Sequence, residues 1–238
     1  MKKCIYIVMA ISVGLITGPE AWGLEDFNSD EALSSRYVES PSTFFGLAFN
    51  SSSSIIATTA KDMGLSLVKE KKAAGGVEIT LQTYDGVPAG LWVEEGSSDF
   101  LFFSDSLVRM DLFCDPTYKN FLLLRKQLMH SLGERFVVEE KQESMDALLK
   151  AHLAALKENE YTSRTENAII TAIKRGSTFF FYSLEDTQGE MNVTLSFSAV
   201  KESELKLRPQ LHLHYSSKEG LAVLKEAQDS MKKKILPE

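Results

Sequence analysis

The pair His212-Leu213-His214 is the feature of this chain best suited to chemistry. On a strand, residues two apart point to the same face, here away from Leu211, Leu213 and Tyr215. The two imidazoles can therefore share a metal ion if a neighbouring strand supplies a third ligand. Functional zinc sites need at least three protein ligands, and spacing alone identifies no third. The expectation is an exposed strand face carrying ordinary polar residues, with no metal and no cofactor; His212 and His214 are the metal candidates should a third ligand exist. His152 falls on the apolar stripe of a helix and reads as a hydrogen-bonded core residue, while His130 adjoins a helix end, where a cation complements the dipole.

Other signatures are weaker. Ser66-Leu67-Val68-Lys69 matches the Ser-x-x-Lys of penicillin-recognising enzymes, but their Lys-Thr-Gly and Ser-Asp-Asn are absent. The segment follows Gly64 and reads as a strand, which sends the serine and lysine in different directions. There is no Gly-x-Ser-x-Gly, His-Glu-x-x-His, P-loop or dinucleotide glycine fingerprint. Glu94-Glu95 and Glu185-Asp186 lie beside turn residues, where paired carboxylates stay solvated instead of poised for proton transfer. Cys114 alternates with Val108, Met110 and Leu112 and reads as an inert thiol on a buried strand face. Without a nucleophile and base pair, the chain is expected not to be an enzyme. Phe179-Phe180-Phe181-Tyr182 puts rings on both faces of one strand, one of which must be covered; Phe180 and Tyr182, with Trp92 beside Gly90 and Glu94, are the candidate partner-contact residues.

These residues need elements to position them. Ser51 to Ser54 supply N-cap candidates for a short helix carrying Ile55, Ile56, Ala60 and Met63, closed by Gly64. Val77, Ile79 and Leu81 alternate with polar residues, and strands at 100–103 and 107–114 follow turn signals at Asp85-Gly86, Gly96-Ser97 and Ser104-Asp105-Ser106. Asp115-Pro116 reads as an N-cap with proline at the first helical position, ahead of a helix bearing Tyr118, Phe121, Leu122, Leu128, Met129 and Leu132. The order then recurs: an amphipathic helix over 145–156, strands near 177–184, 191–200 and 207–215, and a last helix with Leu221, Leu224, Met231 and Ile235 inward. Ser216 and Glu219 form a capping box for that helix.

The expected fold class is α+β: two tandem α-β-β-β-α units at 44–134 and 142–238, joined near 134–144, each an antiparallel sheet with helices on one face. A single continuous sheet with helices on one side is the alternative. Residues 1–23 read as a signal peptide: Lys2 and Lys3, an apolar run over 4–17, then Pro19 and small residues Ala21 and Gly23 before the cut. The run is shorter than the roughly 20 residues a spanning helix needs, so no transmembrane span is expected after cleavage. Residues 24–43 read as a flexible polar leader.

Cleavage removes two positive charges and one negative, taking the formal charge from −7 to −8. Nucleic-acid binding is thereby disfavoured, because counterion release needs a basic surface. Lys69, Lys71 and Lys72 read as a solvated turn, and Lys232 to Lys234 as a helix end. Only Cys114 would remain, so no intrachain disulfide forms even in an oxidising compartment, and a core drawn from 44% apolar residues must hold the fold.

Phe45-Gly46-Leu47-Ala48-Phe49-Asn50-Ser51-Ser52, then Gly64, Tyr84-Asp85-Gly86-Val87-Pro88 and Leu107-Val108-Arg109-Met110, resembles the outer-membrane assembly lipoproteins of the small SmpA/OmlA type over 45–133. Their lipidated cysteine is absent here and no functional residue carries over. The resemblance implies a scaffold for protein contacts at the cell envelope. The expected function is an exported, non-enzymatic binding module, periplasmic or secreted, contacting an envelope or extracellular protein; the alternative is a periplasmic carrier or sensor of a small apolar ligand or lipid held between helices and sheet.

Overall fold

A computed structural model describes residues 43–44, 46–73, 78–131, 136–145, 147, 149–150, 163–203 and 206–235. The signal peptide, nearly all of the leader and most of the helix expected over 145–156, with His152, lie outside them. Period-two alternation dominates this chain, and strands are its main product. The elements are β1 (Thr43–Phe44), β2 (Leu47–Ala48), α1 (Ser53–Asp62), β3 (Ser66–Lys72), β4 (Ile79–Asp85), β5 (Gly96–Phe103), β6 (Ser106–Cys114), α2 (Tyr118–Ser131), β7 (Phe136–Ser144), α3 (Ser163–Lys174), β8 (Phe179–Asp186), β9 (Met191–Ser203), β10 (Lys206–Ser217) and α4 (Lys218–Ile235). No described helix is long and apolar enough to cross a membrane.

The fold is α+β, as expected; β1 and β2 pair with each other alone, and the other eight strands form one antiparallel sheet in the order β3-β4-β5-β6-β10-β9-β8-β7. The two halves do not form separate sheets: β6 pairs with β10 from Cys114↔Leu211 to Arg109↔Ser216 and joins the halves. Met110, Leu112 and Cys114 of β6 and Leu211, Leu213 and Tyr215 of β10 are buried in the core, and an edge position would leave a row of backbone groups beside them unpaired. The expected joint near 134–144 is mostly the edge strand β7, paired to β8. Lys69, Lys71 and Lys72 are on the opposite edge strand, β3, and not in a turn; lysines on an edge discourage further strand addition.

Helices α1, α2 and α3 cover one face, placing Ile56, Phe121, Leu124, Ile169 and Ile173 against Phe100, Met110, Leu112, Phe197 and Leu213. Helix α4 departs from the one-face expectation: Leu221 and Leu224 pack on Leu101 and Val108 on the other side of the sheet. A β-bulge makes this contact. Leu101 pairs with Arg109 while Phe102 pairs with Leu107, so Val108 is the extra residue and turns out of the main core. Gly220 lets α4 approach closely, since a Cβ there would lie 2.7 Å from Val108 Cγ1.

The helix starts show where local signals hold and where they are overridden. Ser52 caps α1, its Oγ accepting from Ile55 N. Helix α2 is not capped by Asp115 with Pro116 at its first turn. Thr117 Oγ1 accepts from Asn120 N at 3.1 Å, and the Glu166 carboxylate of α3 accepts from Tyr118 N at 2.7 Å and Lys119 N at 3.4 Å. A carboxylate reaching in from another helix satisfies orphan donors and complements the dipole together. At α4 the cap is Ser217, which accepts from Gly220 N at 3.1 Å; Ser216 is engaged elsewhere.

Cys114 is buried on the inner face of β6, as its alternation implies. Burial, reinforced by the charge of Asp115, pushes its thiol up to about 12. Native protein should leave Cys114 unreactive toward Ellman's reagent at pH 8, and denaturant should expose it fully. The folded value lies above the free-thiol value of about 8.5, so the thiol's contribution to stability is complete below that pH and is lost as pH rises toward 12. Thermal melts of Cys114→Ala should therefore show a shallower alkaline decline than wild type.

Candidate functional site

Strands β6 and β10 lie side by side at the middle of the sheet, and the face turned away from α1–α3 carries the site. His214 stands opposite Asp111, and His212 opposite Phe113. Their side chains converge on one atom: His212 Nε2 lies 2.9 Å and His214 Nδ1 2.8 Å from Asp111 Oδ1. Arg109 Nε is 2.7 Å from Oδ2 of the same carboxylate, an ion pair without the angle of a directed hydrogen bond. Each imidazole has a further contact. The ring of His212 stacks on Phe113 with centroids 4.7 Å apart and planes 10° off parallel, and His214 Nε2 lies 3.1 Å from the Oγ of fully buried Ser216.

The carboxylate is buried while the imidazoles keep about a quarter of their side-chain surface, 26% for His212 and 22% for His214. Burial by itself raises the Asp111 carboxyl. The hydrogen bonds from His212 and His214 and the nearby Arg109 charge outweigh it and hold the group well below the usual carboxylate range. Asp111 is thus an anion with two nitrogen donors beside it, and Asp111, His212 and His214 place one ligand atom each within 4.8 Å of one another. The set supplies what the histidine pair lacked on its own.

Cross-strand pairing extends this centre into two polar rows, since directly opposed residues share a face. One row runs Thr83, Asp99, Asp111, His214, Thr194, Ser183 from β4 to β8; the next runs Asp85, Ser97, Phe113, His212, Ser196, Phe181. At the end of β6, a shallow cleft of about 240 Å³ opens beside Phe113, lined also by Ser97, Cys114, Pro116, Arg208 and Gln210.

The aromatic contact candidates are placed differently from the expectation. Phe180 is 1% and Tyr182 6% exposed, both in the core around Phe121, so neither faces a partner. Alternation on β8 leaves the half-buried Phe179 and Phe181 on the outer face. Trp92 is half-buried in the loop before β5, away from the histidines, and its backbone N–H donates to Gln127 Oε1 of α2 at 3.0 Å. Ser66 and Lys69 are exposed on edge strand β3, with a register shift between Leu67 and Lys69. Asp111 is the residue that spacing missed: its sequence signal is an acidic position, two residues after Arg109, in a mostly apolar strand.

Comparison with family profiles, characterised proteins and solved structures returns no match, so function is inferred from geometry.

Proposed function

We propose that the chain is an exported, non-enzymatic contact module of the bacterial cell envelope, periplasmic or secreted, that receives a protein partner on the outer face of β8, β9 and β10. The observation that carries this reading is the paired polar rows. Asn192, Thr194, Ser196 and Ser198 are half-exposed along β9, and among the described residues the helix found on this side, α4, packs over Leu101 and Val108 instead. A broad sheet face of small polar side chains, with Phe181 and the histidines inset, suits contact with a folded surface. The space beneath α2 is filled by Phe121, Phe180 and Phe197, which favours surface contact over an enclosed apolar ligand. The resemblance of 45–133 to envelope assembly lipoproteins supports the same role.

We further read the halves 44–134 and 142–238 as tandem copies of one unit. Each closes with an inner strand, β6 or β10, leading into a capped helix, although β7, at Phe136–Ser144, lies mostly between the two halves.

A photo-crosslinker at Ser196 should give a single protein adduct in the native host's envelope, while one at exposed Met129 of α2 should not. Phe181→Asp should abolish the Ser196 adduct with the melting temperature unchanged. Equal crosslinking from both positions, or an adduct indifferent to Phe181→Asp, would overturn this face as the contact surface.

A further inference from the structure

We propose that Asp111, His212 and His214 bind one divalent cation of the zinc class through Asp111 Oδ1, His212 Nε2 and His214 Nδ1. Three protein donors leave a fourth position for water or an incoming donor. The proposal stands apart from the partner-contact reading and rests on the geometry of these three side chains.

A carboxylate bridged to two histidines is also what a purely hydrogen-bonded cluster would look like. What favours a metal centre is that each ligand is oriented by a separate neighbour. Arg109 holds Oδ2 and leaves Oδ1 to the two nitrogens. Phe113 fixes the plane of His212 by stacking. Ser216, fully buried, sits at His214 Nε2, where its oxygen can accept the Nε2–H and leave the Nδ1 lone pair for the metal. Contacts of this kind set tautomer and ring direction in metal sites. A surface cluster of chance polar residues needs none of them.

The fit is close. Donors around a tetrahedral zinc at about 2.0–2.1 Å lie about 3.3 Å apart; Oδ1 is 2.9 and 2.8 Å from the two nitrogens and all three atoms lie within 4.8 Å of one another, so each nitrogen must draw away from Oδ1 by a few tenths of an ångström. Quarter-exposed imidazoles have that freedom. The ligand set of two neutral nitrogens and one carboxylate suits zinc and its neighbours over calcium or magnesium, which prefer oxygen ligands. Arg109 offsets the charge of Asp111, so affinity should be modest.

The test is calorimetric titration of the metal-stripped full mature chain with zinc chloride, paired with the visible spectrum of the cobalt(II) form. One zinc per chain and a cobalt d–d band of low-coordinate type are expected. His214→Gln and Asp111→Asn should weaken zinc at least about 100-fold, and Ser216→Ala about 10-fold with stoichiometry kept. His212→Gln, a quarter-exposed position that leaves the Asp111–Arg109 pair in place, covers the case in which Asp111→Asn fails to fold, and should also abolish the cobalt band. Absence of binding heat in wild type, or binding unchanged in His212→Gln and His214→Gln, would overturn the proposal.

Discussion

Phe121→Ala should remove about 3–5 kcal/mol of folding stability, the range for truncating a buried aromatic, read as a fall in the urea midpoint. Phe121 is fully buried on α2. Its ring contacts those of Tyr118, Phe180, Tyr182 and Phe197, at centroid distances of 5.8, 5.0, 5.8 and 5.9 Å. Alanine there deletes ring contacts to two strands and to its own helix at once, and rigid strands on one side limit how far the site can collapse. Part of the loss is transfer free energy and part is the cavity left behind. Phe121→Leu keeps most of the volume and should cost clearly less. A loss below about 1.5 kcal/mol for alanine would mean that α2 is not seated on β8 and β9 as described.

Asp111→Ala should destabilise the metal-free protein by about 2–3 kcal/mol, near the upper end for hydrogen bonds to charged groups. One carboxylate serves three partners, so its removal leaves Arg109 and both imidazoles together in a half-buried site without the anion between them. His212→Gln removes one hydrogen bond and one stacking contact and should cost about 1 kcal/mol. The asymmetry is the diagnostic. If Asp111→Ala and His212→Gln cost the same in denaturant titrations, the three residues are not organised around the carboxylate.

Much of the local structure was legible. Alternation located β4, β6, β8, β9 and β10, the serines before Ile55 marked the cap of α1, and Cys114 was placed on an inner face. Each rests on contacts within about four residues along the chain, the range over which side-chain periodicity operates. Caps failed where a distant group intervened: Glu166 reaches the start of α2 from another helix, and Ser216 faces His214, which leaves Ser217 to cap α4. Phe180 and Tyr182, two apart on a strand, share a face, but alternation cannot say that α2 covers that face, which buries both in the core instead of presenting them to a partner.

The histidine pair shows the division most clearly. That His212 and His214 share a face follows from the strand period and needs no tertiary information. That the face holds Asp111 follows only from β6 lying beside β10 in a register that sets Asp111 opposite His214. Register between strands about a hundred residues apart is chosen by which pairing buries both apolar faces together, a property of the whole sheet. Sequence by itself therefore determined most of the inner strands, the start of α1 and the two nitrogen donors, but neither α3 nor β7, while the tertiary structure decided the third donor and the contacts of Arg109, Phe113 and Ser216 that orient the set.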